Sequence, residues 1–190
     1  MKQVLGLVFT VLAFTPAWGQ VNPFTALGKV VTATMDARSR AEVTVDGEIY
    51  AGASRRLLED KKSEWAGVSV MVFAQHVVLA GAVKSGEVKK RVEEIVKRDA
   101  RIRSLRNELL VGDVASLARD TALEAEINAT LTAAQGVSSV NMRWCATGGQ
   151  VVLMGVAQSQ QEADVATQRI RGIKGVKGLK SHLRMVPAKK

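Results

Sequence analysis

Val68, Val70 and Val72 alternate with Ser69, Met71 and Phe73, and a second apolar run from Val77 to Val83 follows almost at once. Two-residue alternation on both sides of a short turn, Ala74 to His76, predicts an antiparallel hairpin. Upstream the period lengthens. Ile49, Ala53 and Leu57 fall at i, i+4 and i+8, the stripe of a helix buried on one side, with Asp46 placed to cap its start. Downstream, Ser85 opens a second helix with Val88, Val92 and Ile95 on one face. Residues 103–111 then put Leu105, Leu109 and Val111 on one face of a third strand.

The same order returns 74 residues later. Val77-Val78-Leu79-Ala80-Gly81 is repeated as Val151-Val152-Leu153-Met154-Gly155, and the register holds without a gap in both directions: Ile49 falls on Leu123, Leu57 on Leu131, Ser85 on Ser159, Leu105 on Leu179 and Leu109 on Leu183. Asp120 takes the place of Asp46, Met142, Trp144 and Ala146 that of the first alternating valines, and Gly148-Gly149 that of the turn. Ser159-Gln160-Gln161-Glu162 has the form of a capping box, followed by Ala163, Ala166 and Ile170. The final strand, 177–185, sets Leu179, Leu183 and Met185 toward a core. The chain is therefore expected to be α+β: two tandem α-β-β-α-β modules, each a three-stranded mixed sheet packed on two helices, with the last strand reached by a right-handed crossover. The boundaries read as 1–19 leader, 20–40 loose N-terminal arm, 41–112 first module and 113–187 second module, with 112–119 as the joint.

The leader assignment rests on Lys2, an apolar run from Val4 to Phe14, and Ala17-Trp18-Gly19 before a cut, which together read as a secretory signal peptide. The run is too short to span a bilayer as a helix. Gln20, not a cysteine, would follow the cut, so no lipid attachment at a new N-terminal cysteine is expected.

Charge then separates the ends of the chain. Beyond residue 19 there are 26 basic and 18 acidic side chains, and up to Asp164 the two signs balance. After Asp164 no acid follows. Arg169, Arg171, Lys174, Lys177, Lys180, Arg184, Lys189 and Lys190 supply the whole excess, so an anionic partner is expected to meet the C-terminal part. On the last strand Lys180, His182 and Arg184 share the face opposite Leu179 and Leu183. With Arg169, Arg171, Lys174 and Lys177 they form the candidate lipid- or anion-binding set, with His182 strengthening it as pH falls; the competing reading is a face that only keeps the protein soluble.

Val77 to Gly81, Val151 to Gly155 and Gly175-Val176-Lys177-Gly178-Leu179, with Asp46 and Asp120 opening the first helices, resemble the BON (bacterial OsmY and nodulation) domain family in tandem. Asp36-Ala37-Arg38-Ser39 and Arg119-Asp120-Thr121 are similar to double-BON envelope proteins. The resemblance spans residues 36–186. It implies an exported, non-enzymatic periplasmic protein, peripheral to the outer membrane, that binds anionic phospholipid or envelope proteins and supports outer-membrane integrity or osmotic-stress tolerance. A protein-binding, chaperone-like role without lipid affinity is the alternative. The resemblance also implies a lipid contact on the helix opening the second module. Here that stretch is Ala122-Leu123-Glu124-Ala125-Glu126, whose two carboxylates would oppose an anionic surface.

Other chemistry finds little support. Cys145 has no partner cysteine, and with His76 and His182 far apart in sequence no zinc cage, and no cofactor, is expected. No serine sits in a Gly-x-Ser-x-Gly elbow, so no catalytic residue is assigned. Gly172-Ile173-Lys174-Gly175 has the Gly-x-x-Gly form of an RNA-clamping loop but leads into a strand, so it reads as a turn and no nucleic acid partner is expected. His76 reads as a solvated turn residue, Cys145 as a small half-buried apolar group, and Trp65 and Trp144 as core or rim. Gly81 and Gly155 read as packing positions beneath the first helix of each module. The oligomeric state is left open.

Overall fold

Ser39 starts the first helix. Its Oγ accepts from the Glu42 N–H at 3.2 Å and the Glu42 carboxylate accepts from the Ser39 N–H at 2.8 Å, a reciprocal box that satisfies two donors otherwise orphaned at a helix start. Helix α1 then runs Arg40–Glu59. The computed structural model describes residues 36–61 and 65–186; the expected leader and most of the expected arm lie outside them. After α1 come β1 (Val68–Phe73), β2 (His76–Val83), α2 (Gly86–Val96), β3 (Ser104–Asn107) and β4 (Leu110–Val111). The second copy is α3 (Leu117–Ala133), a single 3-10 turn (Ser139–Asn141), β5 (Met142–Thr147), β6 (Gln150–Ala157), α4 (Gln160–Arg171) and β7 (Gly178–Met185). Two α-β-β-α-β modules are thus present, each with a mixed sheet.

In the first sheet β2 pairs antiparallel with β1 and parallel with β3 and β4; in the second β6 pairs antiparallel with β5 and parallel with β7. Val70 lies opposite Leu79 and Trp144 opposite Leu153. Each sheet buries one face under its own helices. Ile49, Ala53 and Leu57 of α1 and Val92 and Ile95 of α2 close over Val70, Val72, Val77 and Leu79. Leu123, Ile127 and Leu131, with Ala166 and Ile170, do the same over Met142, Trp144, Val151 and Leu153.

The other face of each sheet is also apolar and packs against its counterpart. Met71, Phe73, Val78 and Ala80 of the first sheet meet Cys145, Val152, Met154 and Val156 of the second, giving the order helices, sheet, sheet, helices. Burying a Phe or Met side chain is worth about 1.5–3 kcal/mol, so this seam is a third core shared by both modules.

Several sequence expectations change in detail. Asp46 and Asp120 do not cap their helices; α1 begins six residues earlier, and α3 begins after Ser116. Both aspartates reach the hairpin turns instead: Asp46 accepts from the Ala74 and Gln75 N–H groups at 2.7 Å each and Asp120 from the Gly148 N–H at 2.9 Å, while the other Asp120 oxygen accepts at 2.8 Å from the N–H of Ser116, the residue that precedes α3. Ser159 does cap α4, but Glu162 turns away from the box to accept from Gln158 and Ser138, both at 2.7 Å. The expected strand 103–111 breaks at Glu108-Leu109. Asn107 bonds back to the Lys89 carbonyl and the Glu93 carboxylate while Leu109 drops into the core, so the alternation slips and Val111 is left 51% exposed. Met185, expected to face the core, is likewise 47% exposed. Residues 36–39, expected in a loose arm, are held by hydrogen bonds described below.

Candidate functional site

The seven basic residues singled out from sequence divide into two groups. Arg169 and Arg171 occupy the last turn of α4, where cations meet the negative end of the helix dipole. Gly172 and the turn through Gly175, which takes φ +100°, carry Lys174 and Lys177 out beside them. The turn is tied down by the Lys177 N–H donating to the Gly149 carbonyl at 2.8 Å and by buried Ile173. All four side chains are exposed, and they form a cationic rim at one end of the second module.

Lys180, His182 and Arg184 do share one face of β7, as the two-residue period requires, but that face is turned toward the first module: His182 and Arg184 are half-buried there rather than left to solvent as expected, while Lys180 remains exposed. Glu108, freed by the break between β3 and β4, accepts from Lys180 Nζ at 2.7 Å and pairs with His182 Nε2 at 2.9 Å. Burial pushes the Glu108 carboxyl up, but the hydrogen bonds and charges of Lys180 and His182 outweigh it and hold the group below its ordinary value. Arg184 is half-buried, and burial together with the nearby Arg103 charge lowers its pKa. These three residues therefore belong to the junction between modules. Glu108 and Arg103 were missed from sequence because nothing in a single chain's pattern says which surface of one module meets the other.

His76 is half-buried as the first residue of β2, not a free turn residue, with Nδ1 2.6 Å from Ser104 Oγ. Burial lowers its pKa, and the charges of Arg184 and Arg103 lower it further. Cys145 is buried in the seam, where burial, with the Glu124 charge, pushes the thiol up to about 12 and leaves it unreactive. Trp144 lies in the second module's core with Nε1 donating to the Glu124 carbonyl at 3.3 Å, and Trp65 packs at the rim of the first. On α3 only Glu126 presents its carboxylate to solvent; Glu124 is buried and accepts from the Ala146 N–H at 3.0 Å, so half of the expected acidic opposition is absent.

Gly81 and Gly155 have φ of +110° and +128°. Their neighbours are not the first helices: a Cβ at either would collide with a backbone carbonyl just before the adjacent strand or at its edge, that of Gly67 or of Asn141. Among the described residues no group of three or more His, Cys, Asp or Glu could hold a metal ion, and no helix is long and apolar enough to cross a membrane.

Comparison with known proteins follows the same division of the chain. An uncharacterized protein in the gshII 5' region of Anaplasma centrale is 31% identical over 129 residues, covering 66% of this chain and 85% of that protein. Osmotically-inducible protein Y of Escherichia coli strain K12 is 29% identical over 144 residues, covering 73% of this chain and 72% of that one. Among solved structures, CdsD, a structural protein of the Type III secretion system of Chlamydia trachomatis, is similar at 17% identity with a TM-score of 0.33, over 76% of this chain and 65% of that chain. The BON domain matches twice, at residues 45–113 and 119–187, which are the two modules built above, and the chain belongs to the BON domain family as a tandem member.

Proposed function

We propose that this protein is a non-enzymatic binding protein of the periplasm whose second module contacts anionic phospholipid headgroups at the outer membrane and so supports the integrity of that membrane. The observation that carries this reading is the rim of Arg169, Arg171, Lys174 and Lys177, four exposed cations at the end of α4 and in the turn after it, in a part of the chain that has no acid beyond Asp164. Each cation near an anionic membrane contributes about 1 kcal/mol, so four give useful affinity at low salt and little at high salt. Lys180 and His182 add less, because Glu108 already takes up part of their charge, and Arg184 adds less because it is half-buried at the junction. The test is sedimentation with phosphatidylglycerol vesicles and with phosphatidylcholine vesicles across a salt series. The parent should bind the first only, at low salt, and replacing Arg169, Arg171, Lys174 and Lys177 together by Gln should abolish that binding without altering the thermal unfolding. Equal binding to both vesicles, or by the variant, would overturn the electrostatic reading.

A second reading, an osmotic-stress protein that binds other proteins in a chaperone-like way, draws on the similarity to osmotically-inducible protein Y. It predicts suppression of aggregation of an unfolded client by parent and quadruple variant alike.

A further inference from the structure

Phe73 ends β1 at the rim of the seam between the two sheets, and a guanidinium lies over its ring from each side of the junction. Arg38, just before α1, sits with its Cζ 4.3 Å from the ring centroid; Arg143 of β5, in the second module, sits 5.5 Å from it. Arg38 is gripped from three directions. Its Nε and Nη2 donate to the two oxygens of Asp36 at 3.0 and 2.7 Å, and its Nη1 donates to Asp46 at 2.9 Å, the carboxylate that also holds the first hairpin turn. Between them the Ala37 N–H crosses to the other module and donates to Asn141 Oδ1 at 2.8 Å, while the Ala37 side chain packs on the seam itself. Arg143 in turn donates to the carbonyls of Val140 and Met142 at 2.9 and 2.8 Å.

We propose that Asp36-Ala37-Arg38 is a strap that holds the two sheets face to face, and that its release lets the seam open and bare the apolar faces around Phe73 and Cys145. The charges make the strap a two-state device. Arg38 and Arg143 are like charges brought to the same ring, and Asp36 and Asp46 are what make that arrangement tolerable. Burial, with the Arg38 charge added, lowers the Arg143 pKa to about 10, while Asp36 and Asp46 oppose the fall. Removing Arg38 leaves the Asp36 carboxylate buried without its cation, and removing Asp36 leaves the buried Arg38 with Asp46 as its remaining carboxylate; either loss favours the open arrangement where water can reach the charge. Across the junction at β7, Glu108 pairs with Lys180 and His182, and the Lys180 ammonium is largely in solvent.

Cys145 lies in the seam and reports its opening with no cysteine introduced. In native buffer the thiol of the parent should react slowly with a maleimide. Arg38→Ala and the milder Asp36→Asn should each speed that reaction tenfold or more, the factor that about 1.4 kcal/mol gives. Arg38→Lys, which keeps the charge, should fall between. Ile127→Val serves as the reference, because it loosens the helix-side core of the second module without touching the seam. Urea unfolding of all the variants sets how much labelling global unfolding alone would produce. If Asp36→Asn and Arg38→Ala label no faster than the parent, or no faster than their loss of global stability and the reference variant predict, the strap does not control the seam and the proposal falls.

Discussion

A glycine in this chain has opposite meanings at Gly47 and Gly155. Gly47 lies in the interior of α1 with nothing within 4 Å of an added Cβ, so its missing side chain is pure entropic cost. Gly47→Ala should raise stability by about 1 kcal/mol, read as a higher urea midpoint with an unchanged slope. Gly155 takes φ +128° and faces the Asn141 carbonyl, so Gly155→Ala must move the first residues of β5 and should cost well over 1 kcal/mol. A higher midpoint for Gly155→Ala would mean that the strand can give way there. Sequence alone marked Gly155 as a position where something comes close, since glycine weakens a strand. It did not reveal what: the close neighbour is the backbone that leads into the adjacent strand, which no side-chain pattern announces. Asp46 and Asp120 were singled out for a comparable reason. A carboxylate accepting backbone N–H groups is the chemistry of a helix cap and equally of a hairpin clasp, and only the folded chain tells which N–H groups arrive.

At the scale of elements, that clasp explains how one turn does without glycine. Ala74 and Gln75 take φ of +50° and +66°, where a side chain is strained, while Gly148 and Gly149 reach similar angles freely. Asp46 holds both strained N–H groups and Arg38 as well; Asp120 holds one turn N–H and the N–H of Ser116. Asp46→Ala should therefore cost about 3 kcal/mol or more, and Asp120→Ala about 1–2 kcal/mol, because hydrogen bonds to a charged group are worth about 1.5–3 kcal/mol net and the glycine turn, unstrained at its positive φ, depends less on its clasp. Equal losses in urea unfolding would show that the turn strain is borne elsewhere. The elements themselves were legible because their periods are clean: Ile49, Ala53 and Leu57 on a helix, and Val70 and Val72 on a strand, are all buried where the spacing put them. The third strand of the first module was less so. Leu109 and Val111 obey the two-residue rule on paper, but Asn107 finds two acceptors on α2 and breaks the ladder, a tertiary bond with no local signature.

For the whole molecule the shared seam changes what the repeat means. The 74-residue repetition invites a picture of two independent units, each with its own core, and the helix-side faces fit it. The faces carrying Met71, Phe73, Val78 and Ala80, and Cys145, Val152, Met154 and Val156, do not, because a lone module would present an apolar sheet to water. Their apolar character was visible as the odd members of each alternation, but a single sequence does not say whether such a face meets a helix, a membrane or the other copy. Leu153 tests the consequence. It is fully buried on the helix side of β6, directly between the second module's helices and the strand whose opposite face builds the seam. Leu153→Ala should cost about 2–5 kcal/mol, as truncating a buried leucine does. If the modules were independent, calorimetry of the variant would show the second unfolding early and the first at its old temperature. With a common core the second module cannot leave without stripping the seam from the first, so both should shift down together in one transition. Two separated peaks, the upper one unmoved from the parent's, would show that the seam contributes too little to join them.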